Sequence, residues 1–221
     1  MKSKSALRLP VSWPERITTV IAYVLQLAIL IPVIGSALNG QWLVTFTGVV
    51  VLALTQLPSI IERQLHIQVP IEFTLVICLF LYASFVLGEV SEFYRRFWWW
   101  DLMLHSLSAI VIGLIGFLLI YVFYATKRMQ AKPGFVAAMT FCVAVATGTI
   151  WELFEFGMDW LFDFNMQKSG LVDTMTDVAV NMLGAVIAAM VGYSYVKGGD
   201  SLLADRLIRR FVAQNPRLFD A

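Results

Sequence analysis

"WWWDLMLHSLSAIVIGLIGFLLIYVFY", residues 98–124, decides the fold. Three tryptophans, an aspartate and a histidine open the stretch, and from Ser106 to Tyr124 no side chain is charged. At about 1.5 Å per residue, such a run crosses the roughly 30 Å of hydrocarbon in a bilayer as a helix. A helix is required because lipid offers the backbone no hydrogen-bond partner. Trp98, Trp99 and Trp100 then mark the boundary of water and lipid, where indole rings collect without any chemical role.

Outward from this stretch, hydropathy predicts spans over 17–37, 41–61, 70–90, 101–124, 135–157 and 175–196. Polar breaks separate them, among them "LNG" at 38–40, "ERQLHIQVP" at 62–70 and "KRMQAKPG" at 127–134. Composition agrees: 59% of the 221 residues are hydrophobic and 14% charged, whereas soluble domains are about 45–50% apolar and about a quarter charged. The expected fold class is all-α, a polytopic membrane helix bundle with six transmembrane helices and a C-terminal amphipathic helix. Residues 1–197 form one integral domain, with its motif-bearing bundle at about 98–197, and residues 198–221 form a cytoplasmic tail.

In that tail, "SLLADRLIRRFVAQ" puts Leu203, Leu207, Ile208 and Phe211 on one helical side and Asp205, Arg206, Arg209 and Arg210 opposite. The pattern fits a helix lying along the cytoplasmic leaflet, or a short solvated one. At the other terminus, Lys2, Lys4, Arg8 and Arg16 precede an apolar run from Ile17 to Ala37. It exceeds the 7–15 residues typical of a signal-peptide core and reads as a retained anchor. Cys78 and Cys142 fall inside apolar runs, where cysteine behaves as a small hydrophobe.

Six spans put both termini on one side of the bilayer. Of the 16 lysines and arginines, only Arg95, Arg96 and Lys168 then fall on the other side. Basic segments stay in the cytoplasm, so the expected location is a bacterial inner membrane with both termini cytoplasmic. The acids are distributed the opposite way: Glu89, Glu92, Asp101, Glu152, Glu155, Asp159, Asp163, Asp173 and Asp177 gather at or beyond the outer interface. A net charge of +1 conceals two oppositely charged ends.

Helical spacing sorts several of these acids into stripes, since residues three or four apart share a face. Asp101 and His105 are neighbours on the fourth span. Glu152, Glu155 and Asp159 follow on the fifth, and Asp173, Asp177 and Asn181 on the sixth. Each stripe continues inward as small residues: Ser108, Ala109, Gly113 and Gly116; Gly148 and Ala144; Gly184, Ala188 and Gly192. Small side chains let membrane helices approach closely, so the polar face is also the packing face, and spans four to six are expected to form one bundle. The first three spans carry no such stripe and read as a supporting layer.

Plain structural roles cover part of this set. Asp101 and Asp173 stand where inward-running helices begin and fit N-caps, and Asp177 gains from the same helix dipole. Glu152 and Glu155 lie towards the end of an outward-running helix, whose dipole repels their charge. Their candidate compensations are Arg95 and Arg96 as counterions, protonation, His105 as a cation, or a metal ion. One imidazole among many oxygens suits zinc, manganese, magnesium or calcium with carboxylate ligands. The candidate metal ligands are Asp101, His105, Glu152 and Asp177, with Glu155 and Asp173 as candidate catalytic groups. His66 lies in a loop and reads as solvated.

The segments "DLMLHSLSA" (101–109), "WELFEFGMDWLF" (151–162), "NMQKSGLVDTMTD" (165–177) and "NMLGA" (181–185) together resemble a family of uncharacterised bacterial polytopic membrane proteins, YjdF-like, and more loosely VanZ-like proteins. The resemblance covers about residues 98–190, and upstream only hydropathy is similar. It selects the same residues, Asp101, His105, Glu152, Glu155, Asp173 and Asp177. Ala109 departs from the Ser-Gly pair that the resemblance leads one to expect after the histidine. The resemblance implies an architecture and a motif, and no established reaction.

Three functions compete on this evidence. A metal-assisted hydrolase or transferase would use the acids at headgroup level on an envelope lipid or lipid-linked substrate. A proton- or cation-coupled transporter needs a polar route through both membrane halves, yet inward of His105 and Asn181 spans four to six hold no ionisable residue before the cytoplasmic boundary. A non-catalytic scaffold would use the acids to tie the bundle or receive a basic partner. Nucleic-acid binding is excluded as a reading, because the basic residues follow membrane sidedness instead of forming a stripe with interleaved aromatics.

Overall fold

A computed structural model describes residues 13–198 and 202–219 of the chain. Every regular element among them is helical: α1 (Trp13–Leu38), α2 (Trp42–Leu54), α3 (Leu57–Leu65), α4 (Ile71–Tyr82), α5 (Phe93–Arg96), α6 (Trp100–Ala125), α7 (Pro133–Phe162), α8 (Leu171–Val196), α9 (Leu202–Gln214) and α10 (Pro216–Phe219). A π-helical stretch, Ala83–Val90, continues α4. The architecture is the expected polytopic helix bundle. Among the described residues, five helical segments are long and apolar enough to cross a membrane, and α2 with α3 forms a further candidate span bent by 41°.

That bend corrects the uninterrupted second span drawn over 41–61. Helix α2 stops at Leu54, where the Thr55 hydroxyl donates to the Leu52 carbonyl at 2.7 Å. Pro58 then occupies the first turn of α3, a position that suits proline because the first helical N–H groups need no intrahelical acceptor. Pro32, in contrast, lies inside a continuous α1.

Contacts divide the chain into two compact units at Val90–Ser91. In the first unit α1 packs against α2 and α4, with Ile29, Val33, Leu81 and Phe85 at its core. Gly48 on α2 stands where a Cβ would collide with Val33 and Phe85. The Ser36 and Thr45 hydroxyls join α1 to α2 at 2.8 Å.

In the second unit α6, α7 and α8 pack against one another. Their contact faces are the predicted small-residue stripes. A Cβ on Gly113 would come within 2.5 Å of Ala188 Cβ, one on Gly116 within 2.7 Å of Val143, and one on Gly192 within 2.7 Å of Phe117. Since lipid tails are as apolar as leucine, this close fit, not exclusion from water, holds the three helices together. Many large side chains point outward, Ile150, Trp160 and Leu183 among them, as lipid-facing residues should.

Helix α9 packs on α8, and α10 on α6 and α9. Ile208 and Phe211, from the apolar side expected of the tail helix, are buried, and Phe219 stacks near both Phe211 and Tyr121. Part of that apolar side is therefore covered by protein. The side chains of Leu203, Asp205 and Arg206, and the whole of Lys2, Lys4, Arg8, Asp200 and Asp220, lie outside the described residues.

Candidate metal centre at one end of the second unit

His105 stands in the second turn of α6, Asp177 in the second turn of α8, and Glu152 on the later part of α7. Because α7 runs antiparallel to its neighbours, these three positions come to one end of the bundle. His105 Nε2 lies 3.5 Å from Asp101 Oδ1 and 3.9 Å from Asp177 Oδ2. On the other side of the ring, Nδ1 lies 3.5 Å from Glu152 Oε1 and 3.5 Å from Asn181 Nδ2. The single imidazole is thus ringed by side chains from all three helices.

Burial makes the arrangement demanding. Asp177 is 1% exposed and Glu152 3%, and no oxygen of either carboxylate accepts a hydrogen bond among the described residues. The Thr174 hydroxyl lies close to Glu152 without reaching hydrogen-bond geometry. An isolated buried carboxylate is expensive, and such groups persist where a cation or a proton compensates them. Candidate ligand atoms fall into two triplets that share the histidine, Asp101–His105–Asp177 and His105–Glu152–Glu155, with the atoms of each within 4.8 Å of one another.

The remaining site residues are individually tied. Trp151 Nε1 donates to Glu155 Oε1 at 2.8 Å, one helical turn away. Asp101 divides its oxygens, with Oδ1 towards His105 and Oδ2 bonded to the Lys168 ammonium. Lys168 also lies over the Tyr94 ring, 4.2 Å from its centroid. Asp173 is partly exposed and belongs to neither triplet. It interacts electrostatically with Lys168, Asp101 and Asp159.

Several sequence expectations need correction. Helices α6 and α8 begin at Trp100 and Leu171 without a side-chain capping bond, so Asp101 and Asp173 sit in first turns and are not N-caps. Arg95 and Arg96 pair with Glu92 at 3.6 and 3.9 Å, exposed, and Lys168 is the cation that reaches the site. Asp159 leaves its predicted stripe: its carboxylate accepts the Met166 N–H at 2.7 Å and the Gln167 N–H at 2.8 Å. It fastens the loop that carries Lys168. That loop is further held by Gln167 Nε2, which donates to Thr174 Oγ1 at 2.6 Å, and it closes at Gly170 with φ +63°, a backbone conformation that glycine adopts freely.

Two residues named in the sequence for other reasons, Lys168 as an outer-side base and Gly148 in a small-residue stripe, also contribute to the site. Lys168 lies in an irregular loop, where no helical period reports direction. Gly148 touches Asn181 so closely that a Cβ there would stand 2.7 Å from Asn181 Nδ2; the glycine leaves room for the amide beside the histidine. His66 closes α3 in the left-handed conformation with φ 56°.

The model of one protein family, described as a predicted membrane protein (DUF2238), matches residues 17–198. An uncharacterized protein of Thermotoga maritima is 31% identical over 142 residues, covering 62% of this chain and 69% of that protein. No solved structure matches the chain.

Proposed function

This chain is a member of the DUF2238 family of predicted membrane proteins, and in that setting we propose that it is a metal-dependent hydrolase or transferase acting on an envelope lipid or lipid-linked substrate. One observation carries the reading: Glu152 and Asp177, both buried and both without a hydrogen-bond donor among the described residues, face the same imidazole from opposite sides. A divalent cation compensates such a set, and the oxygen-rich ligands with one nitrogen suit zinc, manganese, magnesium or calcium. Asp101, His105, Glu152 and Asp177 are the candidate residues that would hold it. Held there, a divalent ion would supply Lewis-acid chemistry to the bond to be broken or to an attacking water.

Glu155 and Asp173 are the remaining acids near the cluster and take the role of orienting water or accepting its proton. The inner membrane is the proposed location, with the termini in the cytoplasm and the site on the extracytoplasmic face, because the basic residues divide so unequally between the two sides. At that depth the acids meet lipid headgroups. A route for transported ions is disfavoured by the packing inward of the site, where Gly113 meets Ala188 and Ala144, and Gly192 meets Phe117.

Elemental analysis of protein purified in mild detergent tests the proposal. About one divalent ion per chain, lost from a His105→Ala protein and lowered in a Glu152→Ala protein, both still folded, is the expected result. Full metal content in both variants, or none in the parent protein, overturns it; a scaffold would show the latter with a graded loss of thermal stability.

A further inference from the structure

The two nitrogens of an imidazole point their lone pairs in different directions, so one ion sits on one of them and not on both. The His105 ring therefore divides the ligand candidates into those beyond Nε2, Asp101 and Asp177, and the one beyond Nδ1, Glu152, with which Glu155 is grouped. Building on the metal-centre reading above, we infer that the cation occupies the Nε2 side with Asp101 and Asp177, and that Glu152 is not a ligand but the acceptor of the Nδ1 hydrogen, positioning the ring.

Donor accounting separates the two choices. With the ion on Nε2, Asp101 and Asp177 have the ion, Glu155 has the Trp151 indole N–H at 2.8 Å, and Glu152 alone faces the ring N–H, 3.5 Å away and unshared with another carboxylate. With the ion on Nδ1, Asp177 has only a share, with Asp101, of one ring hydrogen 3.9 Å away. A carboxylate that is 1% exposed with no donor among the described residues does not tolerate that.

Two further features agree. The Asn181 amide stands 3.5 Å from Nδ1, crowding that side, whereas the near neighbours of Nε2 are carboxylates. Asp101 also divides its oxygens between the ring and Lys168, as a ligating carboxylate with an outer partner does. With Nδ1 protonated, the Asn181 amide would have to present Oδ1 instead of Nδ2 to the ring and share that hydrogen with Glu152.

A cobalt(II) titration of the full chain in detergent, read by visible absorption and by metal content, tests the assignment. The parent protein takes up about one cobalt per chain. Asp177→Asn and, independently, Asp101→Asn abolish uptake or weaken it more than about 100-fold. Glu152→Gln, whose amide oxygen still accepts the ring N–H, keeps one cobalt and a parent-like spectrum at about 10–100-fold lower affinity, the range for loss of an outer-shell partner, and Glu152→Ala binds more weakly than Glu152→Gln. Loss of uptake in Glu152→Gln with retention in Asp177→Asn puts the ion on Nδ1 and overturns the inference, as does equal loss in both. A parent protein that takes up no cobalt overturns the metal-centre reading itself, and the inference with it.

Discussion

At Asp177 a carboxylate that is 1% exposed faces a histidine and no donor among the described residues, and leaving such a group uncompensated costs at least about 1–3 kcal/mol. Replacing it with asparagine removes that cost when the site is empty and removes a ligand when it is full. The Asp177→Asn protein should therefore melt higher than the parent after chelation and lower than the parent in saturating metal, a crossing that thermal unfolding in both conditions detects; a shift of the same sign in both would contradict it. Lys168, which holds the outer oxygen of Asp101, gives a second expectation: Lys168→Met should weaken metal binding roughly tenfold with a stability loss of about 1 kcal/mol or less, since the ammonium is one-third exposed. The juxtaposition of Asp101, His105, Glu152 and Asp177 was legible in sequence because each lies on a helix, where the period fixes direction. Lys168 was not, because a loop has no period, and Asp159 misled for a related reason: it occupies the right helical face, yet the adjoining loop returns to claim it with two backbone N–H groups.

Among the elements, α6, α7 and α8 depend on small residues whose roles differ by position. A Cβ on Gly184 would fall against the Ser106 backbone carbonyl and within 2.9 Å of Ala109 Cβ, while Gly157 on α7 has nothing within 4 Å of its Cβ position. A backbone carbonyl cannot rotate aside, so Gly184→Ala should destabilise the fold by about 1–3 kcal/mol, whereas Gly157→Ala should stabilise it by about 0.5–1 kcal/mol through helix propensity. Thermal unfolding of both variants in one detergent checks the pair, and equal effects would show that helix separation is not limiting. The alternation of small and large residues made these faces readable beforehand. The break between α2 and α3 was not, since Pro58 lies in an apolar run much as Pro32 does, and only Pro32 stays inside a continuous helix. What separates them is the turn at Thr55 and Gln56, where the Thr55 hydroxyl takes the Leu52 carbonyl, a local competition that hydropathy does not register.

For the whole molecule, that broken pair decides how the chain is threaded. If α2 and α3 together cross the bilayer, the chain crosses six times and Arg95, Arg96 and Lys168 stand alone on the side opposite the other basic residues. If the pair re-enters the leaflet it left, the crossings number five, and Lys127, Arg128, Lys132 and the basic residues from Lys197 onward move across from Lys2, Lys4, Arg8 and Arg16. The second arrangement leaves the two sides with nearly balanced positive charge, against the bias that orients membrane proteins; the first concentrates it. Reporter domains fused at the two termini should therefore both read as cytoplasmic, and one placed between Lys168 and Gly170 should read as extracytoplasmic. Termini on opposite sides would establish the re-entrant path. Termini together but with the 168–170 reporter in the cytoplasm would invert the orientation, taking the acids away from the outer headgroups and the proposed substrate with them.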